Sequence, residues 1–116
     1  MRFSIASAVT VLAGLTTSAS AFVMTTYSDM HCKDTVQDVN VWDSTCATWP
    51  KGFKSFKITT WGGTHQRAYF FAPGNCGDLF TAIGKGYVDS TTKDFELGGC
   101  YNFDNTAINA VASYSA

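Results

Sequence analysis

The sequence predicts an all-β fold: a two-sheet β-sandwich of two Greek-key units, held by disulfides. Three observations predict it. Beyond residue 21, short stretches rich in Val, Thr, Phe, Tyr and Trp alternate with Gly, Asn, Asp and Pro, the signature of many short strands. Four cysteines fall in a chain of only 116 residues, an even number that reads as two disulfides in a small exported domain. The third is that the two halves repeat one succession of aromatic residue, cysteine and closing strand.

Residues 1–21 read as a signal peptide. Met1-Arg2 gives a positive start, residues 5–15 an apolar Ala-rich run, and Ala19-Ser20-Ala21 a small-x-small cleavage signal. The run falls short of the ~20 residues that span a bilayer, and none follows it, so a membrane protein is not expected. The remaining 22–116 form one domain. Without Arg2 it holds seven Lys and Arg against nine Asp and Glu, a net charge near −2. That balance excludes a basic footprint for nucleic acid, a polybasic membrane patch and a strongly cationic antimicrobial peptide.

Strands are predicted over residues 22–27, 36–41, 55–61, 68–72, 86–88, 95–97 and 108–114. Turns are marked by Gly62-Gly63, Pro73-Gly74-Asn75, Gly84-Lys85-Gly86 and Gly98-Gly99. Phe53, Phe56, Ile58 and Phe70 are the core candidates. Alternation puts Tyr69 and Phe71 on one face and Phe70 on the other. Lys51, Lys54 and Lys57 read as a solvated strand edge that discourages further pairing.

Cys32, Cys46, Cys76 and Cys100 show no C-x2-C spacing, so disulfides are favoured over zinc. Setting Tyr27 over Phe71 aligns Tyr27-Ser-Asp-Met-His-Cys32-Lys-Asp34 with Phe71-Ala-Pro-Gly-Asn-Cys76-Gly-Asp78. Cys46 and Cys100 each then precede a closing strand, which divides the domain into motifs at about 22–61 and 67–116. Each motif offers a hairpin, a middle strand and a returning strand, which is a Greek key. Four cysteines allow three pairings. Pairs within each half (Cys32 with Cys46, Cys76 with Cys100) and crossed pairs (Cys32 with Cys100, Cys46 with Cys76) both respect the duplication. The within-half pairs are the expectation.

With these residues on the page, the chain resembles the βγ-crystallin double Greek key. That family carries an aromatic residue, six residues and a Gly in its first hairpin, with a later Ser near the fourth strand. Phe70 and Gly77 match the spacing in the second half; in the first, Asp34 stands where Gly would close it from Tyr27. Ser55 looks like the later Ser, and Ala110 or Asn109 occupies its place in the second half. Calcium-binding members hold the ion through an Asn/Asp pair, which Pro50-Lys51-Gly52-Phe53-Lys54 and Asp89-Ser90-Thr91-Thr92-Lys93-Asp94 do not reproduce. No metal and no cofactor are therefore expected. The chain is similar in build to small exported microbial proteins of this type, including crystallin-type yeast killer toxins and a Streptomyces metalloproteinase inhibitor. Its leader and cysteine pattern look like those of fungal small secreted proteins.

Chemistry-bearing clusters are sparse. His31 and His65 have no nucleophile elbow or zinc motif around them, and the carboxylates are one Glu and eight Asp spread over turns. Aromatics are the stronger lead. Trp61, His65, Arg67, Tyr69 and Phe71, around Gly62-Gly63, are the candidate target-binding residues, with a second contact loop at 73–78. The expectation is a secreted, monomeric, non-enzymatic binding protein, a fungal antimicrobial toxin or host-directed effector. Its target would be a cell-wall polysaccharide, a membrane component or a host protein, and not nucleic acid. The alternative is a protease inhibitor presenting residues 62–67 as a rigid loop.

Overall fold

The computed structural model describes residues 20–92 and 94–115. Apart from Ser20 and Ala21, the expected leader lies outside the described residues. Among the described residues eight strands are present: β1 Ala21–Tyr27, β2 Thr35–Trp42, β3 Thr45–Phe53, β4 Ser55–Thr60, β5 Gln66–Phe71, β6 Gly84–Tyr87, β7 Tyr101–Asn102 and β8 Ile108–Ser115. A single 3-10 turn, Leu79–Thr81, lies between β5 and β6. Among the described residues no helix is long and apolar enough to cross a membrane.

Two antiparallel four-stranded sheets result, ordered β2-β1-β4-β7 and β6-β5-β8-β3. Each takes three strands from one half of the chain and one from the other. β3 leaves the sheet of its sequence neighbours for the edge of the second, and β7 makes the reverse exchange. The registers repeat as well: β1 sets Tyr27 opposite Ser55 of β4, and β5 sets Phe71 opposite Ala110 of β8. Ala110 thus holds the place of Ser55 in the second half.

The core lies between the sheets. Inward positions alternate along the strands as the period of two requires: Phe22 and Met24 on β1, Phe56 and Ile58 on β4, Ala68 and Phe70 on β5, Val111 on β8. Phe56 is its hub, with its ring 4.8 Å from Phe70 and 5.7 Å from Phe95 and Tyr101. All four core candidates, Phe53, Phe56, Ile58 and Phe70, are buried there.

Several sequence expectations are corrected. No strand was expected over β3, where Pro50 and Gly52 interrupt the pattern. The ladder to β8 jumps from Thr48 opposite Ala110 to Phe53 opposite Ile108. Residues 49–52 bulge from the edge, where a proline costs no ladder bond. The Asn109 side chain donates to the carbonyl of Trp49 at 2.8 Å and closes this bulge. Gly52, at φ 72°, turns the chain back, and a Cβ there would press within 3.3 Å of Asn109 and Ala107.

Residues 95–97 are not a strand. Phe95 enters the core from a turn, and the pairing with β4 is made by Tyr101–Asn102. Nor do Lys54 and Lys57 mark an edge: β4 is paired on both sides, by β1 and β7. The chain breaks between strands at Lys54, so Phe53 and Phe56, of opposite parity, both face inward.

The disulfides are the crossed pairs, Cys32 with Cys100 and Cys46 with Cys76, not the within-half pairs expected. Strand exchange is the reason. Cys46 sits on β3, two strands from β5, and so meets Cys76 just beyond the end of β5. Cys100, one residue before β7, meets Cys32 just beyond β1. Each bond therefore anchors an exchanged strand to the sheet it has joined.

Candidate functional site

The outer face of the second sheet carries the most distinctive side-chain cluster of the molecule. Directly paired residues of adjacent strands project to the same face. Arg67 of β5 pairs with Tyr87 of β6 on one side and Tyr114 of β8 on the other. Tyr69, two residues along β5, pairs with Lys85. One arginine is thus surrounded by three tyrosines, with a lysine at the margin.

The geometry is preorganised. The Arg67 guanidinium lies 4.3 Å from the ring centre of Tyr87 and 5.9 Å from that of Tyr69. It donates to the hydroxyl of Tyr87 and, at 3.4 Å, to that of Tyr69. Tyr69 in turn meets Tyr114 edge-on at 6.4 Å. The hydrogen bond to Tyr69 raises the Arg67 pKa; partial burial opposes it and the bond to Tyr87 adds to it, so the cation stays charged at any working pH. Arg67, Tyr69 and Tyr87 are half-buried, while Tyr114 and Lys85 are exposed. Each tyrosine presents an apolar ring with a polar tip, the form of side chain that recognition surfaces favour.

The other expected site residues lie elsewhere. Trp61 packs against the main core. His65 is exposed at φ 62°, and its backbone N–H donates to Asp89 at 2.7 Å. Phe71 is a correction: it shares the outer face with Tyr69, as alternation requires, yet it is only 1% exposed. Residues 72–83 fold over it, and Cys76 and Ala82 pack against its cluster with Ala110 and Ala112. The loop at 62–65 is clamped from below by the buried Gln66. Its side-chain oxygen accepts from the Gly63 N–H at 2.8 Å, and its amide donates to Ser113 at 2.7 Å. Arg67 belongs to β5 and not to that loop.

Tyr87, Tyr114 and Lys85 are not among the candidate residues. Their alternation was readable, but what unites them with Arg67 is register across three strands, which no local pattern states.

The two carboxylates with the clearest shifts serve the backbone. Asp29 accepts from the N–H groups of Asp34, Lys33 and His31 at 2.9–3.0 Å. Led by the bond from Asp34, these bonds lower its pKa from the ordinary 3.8 to about 2. Burial pushes Asp89 up, but hydrogen bonds from Thr92, His65 and Thr91 outweigh it and leave the pKa lowered. A separate apolar cleft of about 240 Å³ opens between β2 and the β3 bulge, lined by Val36, Gln37, Trp49, Pro50, Lys51 and Gly52. The outer face of the first sheet differs in kind: Thr25 bonds to Asp38 at 2.5 Å, and Lys57 lies 5.9 Å from the Tyr27 ring. Comparison with protein-family models, curated proteins and solved structures finds no match for this chain.

Proposed function

We propose that this protein is an exported, non-enzymatic binding protein of two Greek keys, similar to βγ-crystallin domains. In this reading it engages an extracellular target through the tyrosine–arginine face, as a toxin-like or host-directed factor. The observation that carries the reading is Arg67 held by the phenols of Tyr69 and Tyr87, with Tyr114 alongside, on an open sheet face. Such a cluster binds with little loss of side-chain freedom, because its rotamers are already fixed.

Other features support it. The two sheets share one strand order, each completed by a strand from the opposite half, as paired Greek keys with exchanged third strands would be. Two disulfides suit an oxidising, extracellular setting. The four cysteines are spent in these bonds, and Asp29 and Asp89 hold backbone N–H groups, which suits a binding role better than catalysis.

The test applies the purified oxidised protein to fungal, bacterial and plant cells, beside Arg67→Ala and a Tyr87→Ala, Tyr114→Ala double variant. Binding to one cell class is expected, weakened about tenfold or more in either variant. Equal binding by the wild type and the variants would remove this face from the reading.

A further inference from the structure

Resting on that reading of the face, we infer that its target is an anionic lipid surface, and that Phe80 is the side chain that enters the bilayer. Phe80 is 96% exposed, at the middle of the Leu79–Thr81 turn, with Leu79 36% and Ile83 47% exposed beside it. A phenylalanine left so fully in water forgoes the largest transfer gain available to a side chain of its size. The segment that carries it is the one that folds over Phe71 on the outer face, so the apolar tip stands next to the tyrosine cluster.

Two properties favour a bilayer over a protein partner. The first is the state of the backbone. The N–H of Phe80 donates to the Asp78 carboxylate at 3.0 Å and that of Thr81 to the Asp78 carbonyl at 2.8 Å. The N–H of Ala82 donates to Leu79 at 3.3 Å and that of Ile83 to Phe70 at 2.8 Å. Four successive donors are satisfied within the chain, which lowers the cost of carrying this turn from water toward hydrocarbon.

The second is the layering. The apolar tip leads, and behind it tyrosines and cations share one band of the sheet face, Tyr69 level with Lys85 and Tyr87 level with Arg67, the mixture that suits a leaflet's headgroup level. A prong also needs no matching cavity in a fluid layer. Asp78, whose carboxylate caps the turn, stays at the aqueous level and limits insertion to the tip.

The experiment is flotation with vesicles of phosphatidylcholine alone, or phosphatidylcholine mixed with phosphatidylserine or phosphatidylglycerol. Binding is expected to the mixed vesicles and to fall as salt rises. Phe80→Ala should weaken it about tenfold or more, and Phe80→Trp should retain it. Lys85→Ala should weaken it about fivefold, one cation's share of the attraction to an anionic surface. Because Phe80 touches nothing that holds the fold, its variants keep the wild-type circular dichroism.

Absence of vesicle binding, or equal binding by Phe80→Ala, overturns the lipid assignment. If cells still bind in a manner dependent on Tyr87 and Tyr114, the face stands and its partner is a protein or glycan. Vesicle binding that depends on Phe80 while cell binding ignores the tyrosines instead overturns the reading of the face.

Discussion

The two connections that open each half of the molecule, residues 28–34 and 72–83, begin alike and end differently. Each leaves a strand at an aromatic residue, Tyr27 or Phe71, and reaches a disulfide cysteine five residues later. The first is short and polar. Asp29 gathers three backbone N–H groups, and the buried Ser55 hydroxyl accepts from the Cys32 N–H at 3.0 Å and donates to the Asp29 carbonyl at 2.5 Å. The second is longer, has Ala110 where Ser55 stands, and turns apolar groups both inward, over Phe71, and outward, at Phe80. What the two connections share is the disulfide frame; the hydrogen-bonded pin at Ser55 belongs to the first. Freed of it, the second connection carries the exposed surface to which a binding role is assigned.

Removing the shared element should have the largest effect. Replacing either cysteine pair by serine should lower stability by about 3.5–4.5 kcal/mol on the chain-entropy account. The Cys32–Cys100 pair, spanning 68 residues against 30, should cost slightly more. Urea denaturation of the two double variants checks the order, and a reversal would show that the bonds act chiefly through the folded state.

Next comes the pin itself. Ser55→Ala leaves the Cys32 N–H and a buried site without its partner and should cost about 1–3 kcal/mol. The reciprocal Ala110→Ser adds a hydroxyl to a fully buried, apolar site, and a loss of about 1 kcal/mol is expected in thermal melts.

A pH series sharpens the contrast. The Asp29 pKa is depressed in the fold, so its contribution is complete above the ordinary 3.8 and drains away as pH falls to about 2. Asp29→Asn should therefore flatten the acid limb of the stability curve. Smallest of all, Phe80→Ala should shift stability by less than about 0.5 kcal/mol, as expected of an exposed side chain.

Much of this architecture was legible because it is written in alternation. Residues 22–27, 55–60 and 68–71 place apolar side chains inward at a period of two, and the punctuation between them is strong. β3 was hidden because Pro50 and Gly52 imitate a loop, and only the Asn109 side chain on a distant strand lets the chain stay paired around them. The disulfide pairing was hidden for a related reason. Which sheet β3 and β7 join is decided by packing between halves, so the spacing of the cysteines is equally compatible with both symmetric answers. At the tyrosine–arginine face, Arg67 and Tyr69 were within reach of sequence reasoning, whereas Tyr114 lies at the far end of the chain and joins them through register alone. Phe71 had the right parity, but nothing local tells that the following segment folds back to cover it.

The crossed bonds have a topological consequence. The Cys46–Cys76 ring is nested inside the larger ring closed by Cys32 and Cys100. Any single cut by a protease between residues 33 and 99 therefore releases no fragment: the nicked chain stays one covalent body and separates only under a reductant. A protein meeting hostile enzymes outside the cell would keep its two sheets together through such damage, even when the wound falls in its most exposed segment.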